Sequence, residues 1–138
     1  MRLPALLLLL VTGCPDNETD VFVNEGVVCL RGEGADDALA SSTDLSVRVR
    51  LTCVSSCATD VESSCAAELR GDVLTVESRF EYQTRFHGNA CPAVCGILDT
   101  TCTLPALPAG NYTLRHGPSD YPLEVSADTA ATCVGEGD

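Results

Sequence analysis

Nine cysteines are the residues of this chain best able to do chemistry. Six of them form two similar triads, Cys53-x3-Cys57-x7-Cys65 and Cys91-x3-Cys95-x6-Cys102. Cys29 precedes the triads, Cys133 follows them, and Cys14 stands apart near the N-terminus. Thiolates at such spacings bind zinc, exchange electrons or pair as disulfides. The Cys-x3-Cys spacings together with His87 and His116, the two histidines, allow zinc on paper. A thioredoxin-like redox pair would need Cys-x2-Cys, which the chain lacks. An odd total leaves one thiol over in an oxidising compartment. With Cys14 set aside, Cys29, Cys53, Cys57, Cys65, Cys91, Cys95, Cys102 and Cys133 pair completely.

The compartment is read from the N-terminus. Arg2 gives a minimal positive region, Leu3 to Val11 an apolar run interrupted by Pro4, and Thr12-Gly13 small residues before a cut. As a helix the apolar run would reach about 14 Å, against about 30 Å of hydrocarbon, too short for a permanent span. Val11-Thr12-Gly13-Cys14 resembles the lipobox of bacterial lipoprotein precursors. That resemblance implies a signal peptide over residues 1–13, removed so that Cys14 becomes the first residue and carries lipid on its thiol and, usually, on its new amine. Several buried acyl chains then anchor the protein stably. The expected location is the bacterial cell envelope, with Pro15 and Asp16 leaning towards the outer membrane. The bland alternative is an ordinary secretory signal with a chance cysteine.

An exported chain favours disulfides over zinc, so no metal and no cofactor are expected. We expect one local bridge within each triad, one bridge joining the triads, and Cys29 with Cys133. The charge points the same way as the leader. The chain carries −12, with 20 acidic residues and 8 cations, all of them arginine. Removing Arg2 with the leader makes the mature chain one unit more acidic. Such a balance argues against nucleic acid and against anionic lipid head groups. The absence of lysine excludes a Schiff-base lysine and a P-loop.

These residues have to be positioned by strands. Residues 14–20 read as a polar, acidic tether, and residues 21–138 as one domain. Val21–Val23 and Val27–Arg31 are β-rich around an Asn24-Glu25-Gly26 turn. Leu45, Val47, Val49, Leu51 and Cys53 alternate with Ser46, Arg48, Arg50 and Thr52, a strand with one wet face. Leu74, Val76, Ser78, Phe80 and Tyr82 mark a second such strand. Between them Thr59-x-x-Glu62 has the form of a capping box, so a helical turn or two is expected in Cys57–Leu69. Tyr112, Leu114 and His116 share one face of a further strand, and Leu123 and Val125 lie in a last one. The fold class expected is all-β: a disulfide-rich antiparallel β-sandwich of about 6–8 strands. Leu107-Pro108-Ala109-Gly110-Asn111-Tyr112-Thr113-Leu114 is similar to a turn before a late strand in immunoglobulin-like and prealbumin-like bacterial surface domains, a resemblance that bears on fold only.

No motif for catalysis is present. There is no Gly-x-Ser-x-Gly turn, and neither histidine stands in a nucleophile context. Arg70-Gly71-Asp72 has the form of an adhesion tripeptide but reads as a turn, and Asn17-Glu18-Thr19 and Asn111-Tyr112-Thr113 are sequons of use only in a eukaryotic chain. The expected role is therefore non-enzymatic: a lipid-anchored binding or structural module that meets the membrane through its lipid and an envelope protein or glycan through its domain. Two alternatives are an enzyme acting on envelope glycans through a carboxylate pair, and a secreted inhibitor or adhesin presenting a rigid disulfide loop.

Overall fold

The computed structural model describes residues 17–33, 44–85, 91–126, 128 and 131–135. Cys14, the leader and His87 lie outside them. Nine strands run through the described residues: β1 (Asn17–Val23), β2 (Val27–Glu33), β3 (Asp44–Val54), β4 (Ala58–Arg70), β5 (Val73–Arg85), β6 (Gly96–Pro105), β7 (Gly110–His116), β8 (Ser119–Val125) and β9 (Ala131–Val134). They form two sheets, and the fold is a disulfide-rich β-sandwich as the alternation of Leu45–Leu51 and Leu74–Tyr82 predicts. In the first sheet β5 is central. β4 pairs along one side of it, while β1 and β7 share the other side end to end, and β8 extends the sheet beyond β7. The second sheet has the order β6-β3-β2-β9.

Val28, Leu30, Leu45, Val47, Val49, Leu74, Val76, Phe80, Leu107 and Leu114 are fully shielded from solvent and fill the space between the sheets. Each comes from the apolar phase of its strand or, for Leu107, from the β6–β7 turn. Burial of a side chain of this size contributes about 1.5–3 kcal/mol.

Several expectations are corrected. The pairing is not antiparallel throughout, because β5 and β7 run parallel over Val73–Val76 and Thr113–His116. Asn17–Asp20 are not tether but the first half of β1, in register with Gln83–Arg85 and Tyr82 of β5. The expected helical turn is strand β4. Its Thr59-x-x-Glu62 segment is a bulge, with Asp60 at φ 51°, and the chain then pairs with β5 without a break from Glu62 to Arg70. A pairing partner of this length overrides the local helix signal. Cys53 does not continue the buried phase of β3. The ladder shifts between Thr52 and Val54, Cys53 sits at φ 60° and is exposed, and Val54 takes the inward position.

The bridges are Cys29–Cys133, Cys53–Cys95, Cys57–Cys91 and Cys65–Cys102. The first was expected. The local bridges within triads were not formed, and three bridges, not one, join the triads. The reason is extension. Cys65 lies well up β4 from Cys57, and Cys102 lies well along β6 from Cys95, each more than about 20 Å away in a strand. A disulfide needs its Cα atoms within about 7 Å. Cys65 and Cys102 therefore meet across the sandwich, Cα atoms 5.3 Å apart, and tie β4 of the first sheet to β6 of the second.

Candidate functional site

The two outer faces of the sandwich differ in charge. On the first sheet the outward residues of β4, β5 and β8 include Glu62, Glu68, Glu77 and Glu124. Its arginines are each tied to a carboxylate of their own. Arg79 reaches Glu81 at 2.5 Å, and Arg115 donates two hydrogen bonds to Asp120 at 2.7 and 2.9 Å. That face keeps a surplus of acid.

The second sheet gathers arginines. On β3 the wet phase holds Ser46, Arg48 and Arg50, with Asp44 at the far end. The β3–β6 register sets Arg50 opposite Asp99 and Arg48 opposite Thr101. Asp99 accepts from both arginines, through Oδ2 from Arg48 and through Oδ1 from Arg50 Nε at 3.0 Å. One carboxylate thus holds two guanidinium groups. Partial burial of the Asp99 carboxyl would raise its pKa, but the hydrogen bonds and charges of Arg48 and Arg50 outweigh that and hold it below the usual carboxylate range. Arg31, on the next strand, faces Ser46 and forms no ion pair among the described residues. Three of the seven arginines within the described residues therefore line one face of an acidic molecule. They border an open depression of about 630 Å³ that includes Cys29, Ser46, Asp99 and Thr101. The Cys29–Cys133 bridge joins β2 to the short β9 on this face, with Cys29 directly opposite Arg48.

The arrangement suits recognition of an oxyanion. A guanidinium has five donors in a rigid fork, and Asp99 uses one from each of Arg48 and Arg50. The other donors remain for a ligand. The ion pairs themselves add little to stability, about 0.2–1 kcal/mol, because both arginine side chains are more than 40 % exposed (49 % and 42 %).

A second constellation lies at one end of the sandwich. Ser78 Oγ and His116 Nε2 are 3.0 Å apart, each residue 4 % exposed. His116 occupies the inward position that the Tyr112-Leu114-His116 phase predicts. Asn24, at φ 54°, closes this end. Its backbone N–H donates to Ser78 O, and its side-chain Oδ1 accepts from Ser78 N–H at 2.8 Å. Gly117 packs so closely on Asn24 that an added Cβ would lie 3.1 Å from its backbone oxygen. A nucleophilic serine has to reach a substrate carbonyl, and this hydroxyl is buried. The pair satisfies two polar groups inside the core.

Burial lowers the pKa of His116. Above the unfolded value of about 6.5 both states are neutral, and the group costs nothing. As pH falls through that value the unfolded chain takes up a proton that the native imidazole refuses, so stability declines. The urea midpoint should therefore drop between pH 7.5 and pH 5.5, the window that spans the unfolded imidazole value. His116→Gln, which keeps a partner for Ser78, should flatten that slope. An unchanged slope in the variant would refute the assignment.

Arg70-Gly71-Asp72 is the β4–β5 hairpin turn, with Gly71 at φ 64° and Arg70 bound to Glu68 at 2.9 Å. Among the described residues no Asp or Glu is buried, and no group of three His, Cys, Asp or Glu is placed to hold a metal ion. Cys91 and Cys95 are pinned to the β3–β4 turn by two bridges, with Ser56 Oγ donating to Pro92 O at 2.8 Å, and Val94 of that loop is exposed. The local sequence does not single out Arg31, Arg48, Arg50 and Asp99 as a site, although one signal is present. The signal was the Arg48-x-Arg50 pair on the wet phase of the clearest strand, in a chain with few cations. Compared with known proteins, the chain matches no family model, no curated protein and no solved structure, so the fold and the arginine face are the grounds on which its function rests.

Proposed function

We propose that this chain is a lipid-anchored binding module of the bacterial envelope. Cys14 carries the lipid, β1 begins three positions later in the sequence at Asn17, and the sandwich meets its partner through the outer face of the β6-β3-β2-β9 sheet. The observation that carries the binding role is the shared carboxylate. On the first sheet every ion-paired arginine has its own acid, whereas Arg48 and Arg50 divide one Asp99 between them. A merely solubilising surface has no need to gather arginines around one carboxylate on an otherwise acidic molecule.

The anchor is tested in envelope fractions. The native protein should sediment with membranes and yield an acylated Cys14 as its first residue by mass spectrometry, and Cys14→Ala should move most of it to the soluble fraction. An unmodified terminus elsewhere would overturn the anchor. The binding role is tested by cross-linking in native envelopes, where the captured partner should be lost in Arg48→Ala/Arg50→Ala.

A second reading is favoured by one feature. The Cys91–Cys95 loop is held at both ends by bridges and exposes Val94 at 66 %. A rigid loop of this kind can dock on a protein at low entropic cost, as an inhibitor or adhesin does. Val94→Asp would then abolish cross-linking while the arginine variants left it intact.

A further inference from the structure

We infer that Arg48 and Arg50, with Arg31 beside them, form a receptor for the carboxylates of an acidic oligosaccharide. This rests on the binding-module reading and names the ligand of that face.

Asp99 shows the chemistry. A carboxylate already lies across the two guanidinium groups, one oxygen to each, so both forks accept a carboxylate oxygen, and a ligand takes the donors that Asp99 leaves over. The side chains are held in place before any ligand arrives, which lowers the ordering cost of binding. Arg48 and Arg50 point the same way from one strand, about 7 Å apart. Arg31 sits diagonally across from Arg48 on β2, about 7–8 Å away. The cations therefore form a short zigzag across two strands, wide enough for a ligand that carries more than one carboxylate. Between and beside them stand Ser46 and Thr101, whose hydroxyls can both donate and accept, as a sugar's do.

Other occupants fit less well. A protein partner needs large apolar anchors sunk in pockets, and the walls of this depression offer three arginines, Asp99 and two hydroxyl residues beside small or aliphatic groups, with no aromatic side chain. A densely charged polymer would be repelled by the rest of a −12 surface. Sparse carboxylates meet the cations within about 8 Å, the range that salt leaves unscreened.

The test uses the oxidised chain, isothermal titration at pH 7, and four probes: trigalacturonate, its methyl ester, an Asp/Glu tetrapeptide and inorganic phosphate. Trigalacturonate should bind, and its ester should not. Arg48→Ala/Arg50→Ala should weaken binding at least tenfold and Arg31→Ala severalfold. Arg79→Ala/Arg115→Ala on the opposite face should change it less than twofold. Arg48→Lys/Arg50→Lys, which keeps the charge but loses the forks, should fall between. Thermal unfolding confirms that each variant is folded. Equal binding of the ester, equal or tighter binding of the tetrapeptide or of phosphate, or no binding of trigalacturonate overturns the proposal. If trigalacturonate fails while envelope cross-linking still captures a partner, the glycan is wrong and the binding role stands. If both fail, the binding role falls too.

Discussion

Replacing Cys29 and Cys133 together by alanine should lower the unfolding free energy by about 4 kcal/mol, the largest loss expected from any single bridge. The two residues are separated by 104 positions, and in the chain-entropy description a loop of that order restricts the unfolded state by about 4.7 kcal/mol. The other bridges shorten the loop, since the unfolded chain can pass through Cys53–Cys95, and this trims the effect. Cys65–Cys102, with a separation of 37, comes out nearer 3.8 kcal/mol on the same reckoning. A structural term adds to the first. β9 has four residues and, among the described residues, pairs only with β2, so the bridge reinforces a short edge ladder. Guanidinium denaturation of the double variant reads the loss directly. A decrease under 1 kcal/mol would mean that the native bridge is strained or that the unfolded chain is compact without it. The consequence for the arginine face is specific. Cys29 is the β2 neighbour of Arg48, and loss of β9 would turn β2 from an inner strand into an edge. Binding by Arg31 should suffer more than binding by Arg50, which leans on β6 instead.

What the sequence discloses here depends on whether the deciding contact is local. The alternation in Leu45–Leu51 and in Leu74–Tyr82 is legible because each strand has one buried and one wet face, and period two records that directly. β4 is not legible from its own residues. Ala66, Ala67 and Glu68 favour a helix, and only the uninterrupted ladder with β5 makes them a strand, although Cys65, Ala67 and Leu69 do alternate inward. The parallel contact of β5 with β7 leaves no local trace, because nothing within Tyr112–His116 names its neighbour. The Cys29–Cys133 bridge follows from position, being the outer pair. The other three depend on where β4 and β6 end up relative to one another, and so does the site. Arg48 and Arg50 are plainly on a wet face, yet the carboxylate between them comes from a strand some fifty residues on, through a register no local pattern specifies.

Phe80→Ala should cost about 3–5 kcal/mol, close to the loss of the outer bridge. The chain has three Phe, three Tyr and no Trp, so few side chains can fill a large space. Phe80 is the largest that is fully buried, and it sits on the central strand between Phe22 of β1 and Ser63 of β4. Neighbouring rings cannot collapse into its place easily, because Phe22 is already stacked on Tyr82, centroids 5.8 Å apart. Phe22→Ala, at a half-buried position, should cost less. Phe80 points into the core from the first sheet, whereas Cys29 lies on the outer face of the second. Sheets pack about 10 Å apart, so the two losses share no partner and should add. Their sum, about 8 kcal/mol, is comparable with the whole stability of a domain of this size, about 5–15 kcal/mol. The triple variant should therefore lose at least half of its stability at 25 °C, while Phe80→Ala with all bridges intact stays folded and keeps its affinity for trigalacturonate. Near-ultraviolet circular dichroism and urea titration distinguish these outcomes. A triple variant as stable as either parent would mean that core and bridges stabilise the same contacts. A Phe80→Ala protein that folds but no longer binds would mean that the arginine face is set by core packing and not by Asp99 and the bridges.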